Sequence, residues 1–390
     1  MGTVKMLTGA DRLERDARRC VEDKRIGLVT GPTGITSDFR STVDVCAGLR
    51  STKLVALFAC EHGIRGERQA GVLFEDETDP DLGIPVFSLY GKHRAPTGEM
   101  LSGLDAVVFD IQDLGVRFYT YLTTLLYTMQ ACAEHDKELI VLDRPNPLGG
   151  HSVEGGLLRD GYRSMVGGWN IPIRTGLTIG EYARLVNSQL ERPCRLNVVT
   201  MDGWTRDMEY PDTGLPWIMP SPNMPTMDTV RVYPGNCLFE GTNVSEGRGT
   251  TRPFEIVGAP WIDGKALAER MNRLNLPGVR FHPVFFTPMF SKHQGEICGG
   301  VQAHVTDKRE FRPVRAALHL LHVIMTMYPD RFEWLKPFKE GGKHFIDLLT
   351  GSDLVRTTLH EPGAPERIVA RWDEELAEWM KVREAALLYT

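Results

Sequence analysis

The stretch AVVFDIQDLGVRFYTY, residues 106–121, decides the fold that this chain is expected to adopt. It opens with the apolar run 106–111, and a predicted helix over 117–135 follows. Continuous apolar runs of this length are typical of strands that are buried on both faces of a parallel sheet. A buried strand that leads into a long helix is the repeating part of a βαβ unit, so the stretch indicates an α/β fold.

Three more apolar runs extend the pattern to both sides of this stretch. They are residues 26–30 (IGLVT), 54–59 (LVALFA) and 139–143 (LIVLD), and the segments 10–23 and 41–49 are predicted helices. This alternation of strands and helices predicts a Rossmann-like, doubly wound sheet whose strands are mostly parallel.

The chain has 390 residues, which is too long for one compact core, so two domains are expected. We assign the Rossmann-like domain to residues 1–230, with a predicted helix over 178–191 that opens with a capping box. A loop-rich segment with six prolines follows over 203–236, and we expect it to form a wall or crossing between the two domains. Residues 231–390 are expected to form a smaller α/β (α+β) domain. Its predicted elements are a strand at 301–306 and helices at 264–274, 309–327 and 364–387.

The composition argues against several classes of partner. A net charge of −6 gives no electrostatic reason to expect nucleic acid or an anionic membrane as a partner. No run of about 18 apolar residues occurs, so no membrane span is expected. The N-terminal residues contain no apolar core of a signal peptide, which indicates a cytoplasmic protein, or a periplasmic or secreted one if a leader has been removed. The seven cysteines include no CxxC pair, which suits a reducing compartment rather than a disulfide framework or a zinc ribbon.

Motifs of other enzyme classes are missing from the sequence. Residues 31–34 (GPTG) follow the first apolar run, but neither GxGxxG nor GxxxxGK[ST] occurs, so a phosphate loop is not favoured. There is no GxSxG, so a serine hydrolase is not favoured either. The segment 292–302 (KHQGEICGGVQ) contains a histidine and a glutamate but no metal-site spacing, and we expect no catalytic metal.

Polar side chains follow three of the predicted strands at the points where the strands end. In open α/β sheets, ligands bind beyond the carboxyl ends of the strands, so these side chains are expected to form one site. Glu61 follows the second run, and a carboxyl group near apolar walls has its charged form disfavoured, as a general acid requires. The alternative is that Glu61 caps the next helix. The three clusters contain Glu61 and His62, then Asp110, Gln112, Asp113, Arg117, Tyr119 and Tyr121, then Arg144 and Asn146.

Several of these polar residues also have a structural interpretation. Arg117 offers a fixed fork of donors to a sugar or a carboxylate, or forms an internal salt bridge with an aspartate. The proline-flanked loops 143–147 (DRPNP) and 220–225 (PSPNMP) are either ligand loops or rigid turns. The second of these loops contains Ser221 and Asn223.

The densest polar segment is 239–254 (FEGTNVSEGRGTTRPF), in which three glycines permit close approach of the backbone. A loop this polar and non-repetitive is hard to explain as a linker, so we expect it at the site. Glu240 and Glu246 are candidates for a second carboxylate. The other candidate binding residues of this segment are Thr242, Asn243, Arg248 and Thr250.

Five motifs occur in order along the chain. They are EHGIRG (61–66), DIQDLGVRFYTY (110–121), LDRPNP (142–147), PSPNMP (220–225) and FEGTNVSEGRGTTRPFE (239–255). In this order they closely resemble the exo-β-N-acetylmuramidases of the NamZ type, a bacterial family long described only as a domain of unknown function. The resemblance covers about residues 20–388. It implies an active site in a cleft between the two domains, no cofactor, and a carbohydrate substrate. The implied reaction is hydrolysis of terminal β-1,4-linked N-acetylmuramic acid from the non-reducing end of peptidoglycan fragments.

The resemblance also implies roles for individual residues. Glu61 is expected to be the catalytic acid, with Glu246 or Asp110 as the second carboxylate, because glycoside hydrolysis typically uses two carboxyl groups. If the N-acetyl group of the substrate attacks instead, Asp110 would orient that acetamide. The lactyl carboxylate of the substrate needs a cation, for which the candidates are Arg65, Arg117, Arg144 and Arg248.

Two other functions stay open on the sequence alone. A sugar- or peptidoglycan-binding protein without turnover would use the same polar cleft, with its acids only accepting hydrogen bonds. It predicts that Glu61→Gln binds fragments as well as the wild type does. A nucleotide-dependent enzyme on the Rossmann-like sheet predicts thermal stabilisation by nucleotide.

Overall fold

A seven-stranded sheet lies at the centre of the N-terminal part of the computed structural model, which describes residues 6–66, 68–69 and 71–390. In chain order the strands are β1 (Arg25–Thr30), β2 (Lys53–Ala59), β3 (Glu77–Thr78), β4 (Pro85–Ser88), β5 (Ala106–Asp110), β6 (Glu138–Leu142) and β7 (Arg195–Val199). From edge to edge their order is β3-β4-β2-β1-β5-β6-β7, and every neighbouring pair except β3–β4 is parallel. Numbered without β3, the parallel strands lie in the order 3-2-1-4-5-6, which is the order of Rossmann-type sheets.

Helices cover both faces of this sheet. They are α1 (Gly9–Arg15), α2 (Thr42–Gly48), α3 (Gly98–Leu101), α4 (Tyr121–Glu134) and α5 (Ile179–Gln189), with a 3₁₀ turn at Arg18–Cys20. Successive side chains of a strand point to opposite faces. Val108 of β5 belongs to the apolar cluster of α1 and α2, whereas Val107 and Phe109 belong to the cluster of α4 and α5. Both faces of β5 are buried, which is why its sequence is a continuous apolar run.

The four apolar runs predicted as strands are β1, β2, β5 and β6, and the predicted fold class is confirmed. Helix α5 begins with the expected capping box, in which Thr178 Oγ1 accepts from the Glu181 N–H at 3.1 Å and Glu181 Oε2 accepts from the Thr178 N–H at 3.0 Å. Helix α4 begins later than predicted, because the N–H of Arg117 donates to the Ile173 carbonyl of a neighbouring loop instead. Residues 1–5 of the predicted first domain lie outside the described residues.

Sequence patterns do not predict β4 and β7. Strand β4 has only four residues, and β7 (RLNVV) is polar at two of its positions and mostly half-buried. Strand β4 is short, and β7 is half-buried at the edge of the sheet, so neither has the continuous apolar run on which the prediction depends.

The C-terminal part contains a smaller antiparallel sheet, as expected for an α+β domain. Its strands are β8 (Ile256–Ala259), β9 (Val279–Phe286) and β10 (Cys298–Val305), with β10 in the middle. The helices from residue 227 onward are α6 (Met227–Asn236), α7 (Gly264–Arg273), α8 (Pro313–Met327), α9 (Phe345–Thr350), α10 (Leu354–Thr358) and α11 (Ala364–Glu384), and further 3₁₀ turns lie at Tyr210–Thr213 and Cys237–Gly241. Within the described residues, none of the helices combines the length and the apolar sequence needed to cross a membrane.

Helix α6 lies in the segment that the proline content predicts to be a loop, and for its residues that prediction is wrong. Thr226 caps the helix by accepting a hydrogen bond from the Thr229 N–H at 3.4 Å. Pro234 lies in the last turn, and the other prolines of the segment precede the helix. The predicted domain boundary between residues 230 and 231 falls within α6 and stays a prediction.

Contacts between the two parts hold the C-terminal part near the carboxyl ends of the parallel strands. Tyr233 of α6 packs edge-on against Phe118 and Tyr119, with ring centroids 5.5 and 5.9 Å away. The hydroxyl group of Tyr389, near the C-terminus, donates to the Asp143 carboxylate at 2.6 Å, directly after β6. These contacts place loops from both parts around one cavity.

Candidate active site

A cavity of about 890 Å³ lies between the two parts, beyond the carboxyl end of β2. The N-terminal part contributes Glu61 and Thr120 to its wall, and the C-terminal part contributes Glu246 and Lys292. A concave site with a few convergent polar groups among apolar and aromatic side chains is typical of small-molecule binding. The residues predicted for the site that line this cavity are Glu61, His62, Tyr119, Tyr121, Ser221, Asn223, Glu240, Glu246 and Arg248.

Glu61 comes two residues after β2 and is 9% exposed. Its Oε1 accepts a hydrogen bond from the Gly71 N–H at 2.9 Å, and its Oε2 accepts one from the Thr120 hydroxyl group at 2.8 Å. Burial and the Glu61 carboxylate raise the pKa of Tyr90 to about 12. The carboxyl group of Glu61 is therefore held in one orientation at the cavity wall, between a loop and the start of α4.

His62 has a left-handed backbone, with φ at 79°, which is uncommon for a residue other than glycine and often marks a functional site. Its Nδ1 lies 2.8 Å from the Arg68 carbonyl oxygen. Because a carbonyl oxygen only accepts, Nδ1 carries the proton. Burial lowers the pKa of His62, so the ring is neutral at neutral pH and Nε2 is an acceptor.

The 220–225 loop is both a rigid turn and part of the cavity wall. Ser221 Oγ accepts a hydrogen bond from the Asn223 N–H at 3.2 Å, and the Tyr121 hydroxyl group donates to the Pro220 carbonyl at 2.7 Å. Tyr119 packs edge-on against Tyr121, with ring centroids 5.0 Å apart. Within the described part of the chain, the Nδ2 of Asn223 is buried without a hydrogen-bond partner, so this amide has a donor to offer a ligand.

Glu246 lies between two cations and is 1% exposed. Lys292 Nζ is 2.7 Å from Glu246 Oε2, and Arg248 Nε is 3.5 Å from Glu246 Oε1. Arg248 also donates to Glu240 Oε1 from Nε at 2.8 Å and from Nη2 at 2.5 Å. The guanidinium of Arg248 lies over the Phe254 ring, 4.9 Å from its centroid. The segment that sequence patterns singled out thus forms an ordered network of two carboxylates and one arginine.

Lys292 fixes the loop that carries Glu246. Its Nζ donates to the carbonyl oxygens of Phe239, Thr242 and Val244 at 2.7, 3.0 and 2.7 Å. With its protons directed at these carbonyls, Lys292 attracts Glu246 by charge rather than through an aligned hydrogen bond. The lysine belongs to the segment considered for metal binding, but its position makes it a partner of a carboxylate.

Asp110 and Arg144 lie outside the cavity lining and bind each other. Arg144 donates from Nε to Asp110 Oδ1 at 2.6 Å and from Nη2 to Asp110 Oδ2 at 2.8 Å, and the Thr42 hydroxyl group also donates to Oδ2. Asp110 is fully buried and Arg144 is 3% exposed. A buried bidentate pair of this kind joins the ends of β5 and β6, and its groups are occupied by each other.

Gln112, Asp113 and Asn146 also lie outside the lining and shape the strand-end loops. Gln112 Nε2 donates to the Asp113 and Pro145 carbonyls at 2.7 and 2.8 Å. Asp113 Oδ2 accepts from the Gly115 N–H at 2.5 Å, and burial raises the pKa of Asp113 to about 7. Asn146 donates from Nδ2 to the Leu177 carbonyl at 2.9 Å, which links its loop to the segment directly before α5.

Arg117 is buried away from the cavity lining and binds backbone groups. It donates to the carbonyl oxygens of Gly156 and Ile171, both at 2.6 Å, and of Leu349 at 2.8 Å. Burial lowers the pKa of Arg117 to about 9. These bonds tie the loop after β5 to the C-terminal part, in place of the salt bridge with an aspartate that the sequence offered as an alternative.

The remaining predicted binding residues are structural or lie apart from the lining. Thr242 and Thr250 donate their hydroxyl protons to the Phe239 and Gly247 carbonyls at 2.9 and 2.7 Å, as in short turns. Asn243 donates from Nδ2 to the Arg331 carbonyl at 2.8 Å. Arg65 is exposed and does not belong to the lining.

Several lining residues have no signal in the sequence patterns. They come from segments far apart in the chain. Single aromatic residues that follow no helical or strand periodicity give no sequence signal for a binding site. Thr120 and Phe118 lie within a motif that was singled out for other side chains. Phe254 likewise lies within the 239–254 segment, and the lining residues outside every such motif include Tyr90, Met165, Tyr233, Phe290, Phe338 and Phe345.

The described part of the chain contains no group of three or more His, Cys, Asp or Glu side chains placed to hold a metal ion.

Two family models match the chain almost from end to end. The model described as exo-beta-N-acetylmuramidase NamZ, N-terminal, matches residues 26–228, and the corresponding C-terminal model matches residues 231–389. The peptidoglycan beta-N-acetylmuramidase NamZ of Bacillus subtilis (strain 168) is 45% identical over 385 residues, which cover 99% of this chain and 92% of that protein.

Two crystal structures of DUF1343 family proteins from Bacteroides fragilis share the fold. The first has a TM-score of 0.92 and 37% sequence identity, with all of both chains covered. The second has a TM-score of 0.79 and 32% identity, with 99% of both chains covered.

Proposed function

The chain belongs to the exo-beta-N-acetylmuramidase NamZ family, and from this premise we propose how its cavity performs that hydrolysis. The substrate is terminal β-1,4-linked N-acetylmuramic acid at the non-reducing end of peptidoglycan fragments. The observation that carries the proposal is one cavity in which Glu61 and Glu246, from different parts of the chain, are each held in place by donors or cations. Glycoside hydrolysis typically uses two such carboxyl groups at the scissile bond.

Glu61 is the acid in this proposal. Its partner Thr120 has a hydroxyl group that can donate to a carboxylate or accept from a protonated carboxyl group. Glu61 therefore keeps this hydrogen bond in both protonation states. Its proton passes to the glycosidic oxygen as the bond between that oxygen and the anomeric carbon breaks. Water then supplies the hydroxyl group at that carbon and returns a proton to the enzyme.

Glu246 is the second carboxylate, in preference to Asp110. Lys292 and Arg248 hold the negative charge of Glu246 at the cavity, whereas Arg144 occupies both oxygens of the buried Asp110. Positive charge develops at the anomeric carbon in the transition state. A carboxylate fixed beside that carbon stabilises this charge, whether it attacks, activates water or orients the acetamide of the substrate.

Arg248 binds the lactyl carboxylate of the substrate in this proposal. Of the four arginines considered from the sequence, it is the one that lines the cavity. Glu240 holds its Nε and Nη2, which fixes the plane of the guanidinium and leaves Nη1 for a further acceptor. Discrimination between muramic acid and glucosamine sugars then depends on this cation, because the lactyl ether is the group that distinguishes them.

The test is a comparison of two chromogenic substrates, a β-N-acetylmuramide and the corresponding β-N-acetylglucosaminide. We expect the folded wild type to release the chromophore from the muramide and not from the glucosaminide. Glu61→Gln should bind the disaccharide of N-acetylmuramic acid and N-acetylglucosamine without cleaving it. Release from neither compound, with disaccharide binding intact in the wild type, would contradict the proposal and identify a binding protein.

A further inference from the structure

The cavity has a closed end and an open mouth. Glu246, Asn223 and Tyr119 line it with only 1, 5 and 7% of their surface exposed. Phe338 and Phe290 line it with 84 and 42% exposed. Polar groups that could react or donate are therefore deep in the cavity, and exposed aromatic rings stand where it opens to solvent.

The loop that carries Phe338 is tied to its surroundings at Leu335. Phe338 lies between α8 and α9, where the Leu335 N–H donates to the Gly241 carbonyl at 2.9 Å. His344 Nδ1 donates to the Leu335 carbonyl at 2.8 Å. The Phe338 ring packs against Phe345 at 68°, with centroids 5.6 Å apart. Its exposure thus belongs to an anchored loop that presents the ring at the mouth.

We propose that Phe338 and Phe290 form the platform for the sugar on the leaving-group side of the scissile bond. This inference rests on the proposed function. An exo-acting enzyme takes the terminal sugar into the closed end, and the next sugar of the chain then lies at the mouth. Phe338 and Phe290 are the exposed aromatic side chains among the lining residues that the structure describes there.

The chemistry of the leaving sugar matches an aromatic surface. A β-linked N-acetylglucosamine ring carries its substituents equatorially, so the axial C–H bonds give the ring apolar faces. The face of an aromatic ring is negative and its edge positive, which attracts the weakly positive C–H hydrogens. Phenylalanine has no polar group to orient a hydroxyl, so this platform selects for ring shape and for the presence of a second sugar rather than for one hydroxyl pattern.

The chain offers a matched control for the test. Phe285 is 81% exposed, lies on β9 of the same part of the chain, and does not line the cavity. Both Phe338→Ala and Phe285→Ala remove an exposed ring, so both variants should keep the fold. The two substrates to compare are the disaccharide of N-acetylmuramic acid and N-acetylglucosamine, and methyl β-N-acetylmuramide, which has no second sugar.

Phe338→Ala is expected to lower kcat/KM for the disaccharide about tenfold, mainly through KM, since one aromatic contact is lost. Its kcat/KM for the methyl glycoside should stay within about twofold of the wild type, as should both values for Phe285→Ala. Phe338→Tyr should restore the disaccharide value.

Three outcomes would contradict the proposal that Phe338 and Phe290 bind the leaving sugar. An equal loss on both substrates would place Phe338 at the terminal sugar. No loss on either substrate, or the same loss in Phe285→Ala, would show that the ring takes no specific part in binding. Failure of the proposed function is distinguishable from these outcomes, because then the wild type would release N-acetylmuramic acid from neither substrate.

Discussion

At the carboxyl end of β2, Glu61 faces the cavity, whereas Asp110 at the carboxyl end of β5 is enclosed by Arg144 and Thr42. Asp110 is the last residue of a continuous apolar strand and Glu61 lies two residues beyond another, and both stand among polar neighbours. They differ in their partners, because Glu61 is held by one backbone N–H and one hydroxyl group, while a guanidinium occupies both oxygens of Asp110. A carboxyl group that keeps neutral partners can exchange a proton with a substrate, and one bound in a buried ion pair cannot do so without losing that pair.

The two regions nevertheless depend on each other. The Asp110–Arg144 pair joins β5 to β6, and the segment after β5 leads to Thr120, the partner of Glu61. Arg117, in the same segment, binds carbonyl groups of both parts of the chain. The region after β5 therefore positions the start of α4, and the region after β2 carries the acid. We therefore expect substitutions of the cavity carboxylates to change the rate of hydrolysis, and substitutions of the buried acids after β5 to change the stability of the fold.

The largest expected effect is on rate, at Glu246. Glu246→Gln removes the charge opposite Lys292 and Arg248, and we expect kcat on the disaccharide to fall by about 10²–10⁴-fold. The measurement is steady-state release of N-acetylmuramic acid, normalised to folded protein by circular dichroism. A kcat within about threefold of the wild type would remove Glu246 from the mechanism.

A large effect on stability is expected at Asp110. Asp110→Asn leaves the buried Arg144 with a weaker partner and should lower the free energy of unfolding by about 3–5 kcal/mol, measured by urea titration. The folded fraction should still turn over substrate.

Asp228→Asn is the control for this measurement. Asp228 forms an ion pair with Arg231 at 2.9 Å but is 69% exposed, so its loss should change stability by less than about 1 kcal/mol. If Asp110→Asn kept its stability and lost turnover instead, the assignment of Asp110 to structure would be wrong.

A smaller effect is expected from pH, through Asp113. Burial raises the pKa of Asp113 to about 7, so the folded state holds a proton that the unfolded state has lost. With a folded-state pKa above the unfolded value, the stability contributed by Asp113 is complete below about pH 4 and is lost as the pH rises towards 7.

The measurement is urea unfolding at pH 5 and pH 8. As the pH rises from 5 to 8, the free energy of unfolding of Asp113→Asn should increase relative to that of the wild type, because asparagine has no carboxyl proton to lose. Burial also raises the pKa of Asp143, to about 6. Asp143 is present in both proteins, so its contribution to the pH dependence of stability cancels in the comparison. Identical pH dependence in the two proteins would contradict the buried, neutral state of Asp113.

Sequence patterns predict the core of the fold because its strands are buried on both faces. The runs that became β1, β2, β5 and β6 are continuous and apolar, and Thr178 with Glu181 marks the start of α5. Strand β4 escapes detection because it is short, β7 because it is half-buried at the edge of the sheet, and α6 because prolines precede it. The elements that the sequence patterns miss are therefore those that form regular structure without a continuous apolar run in their own sequence.

The candidate site is predictable only in part, for a physical reason. The predicted residues that do line the cavity include Glu61 and His62 after a strand end, and the charged residues Glu240, Glu246 and Arg248 of the glycine-containing 239–254 segment. Asp110 has the same local signature, and only the position of Arg144, 34 residues away, separates the two acids. Phe338 reaches the cavity through tertiary packing alone, so no local pattern marks it. Lys292 lies in the 292–302 segment, whose pattern gave no sign of an ion pair with Glu246.

The role of Glu61 as the acid is tested most directly by its dependence on the leaving group. Glu61→Gln should lose about 10²–10⁴-fold in kcat/KM on the disaccharide, whose leaving oxygen needs a proton. On a dinitrophenyl β-N-acetylmuramide, whose leaving group departs as an anion, the same variant should lose less than about tenfold. An equal loss on both substrates, or no loss on the disaccharide, would contradict the assignment of Glu61 as the catalytic acid.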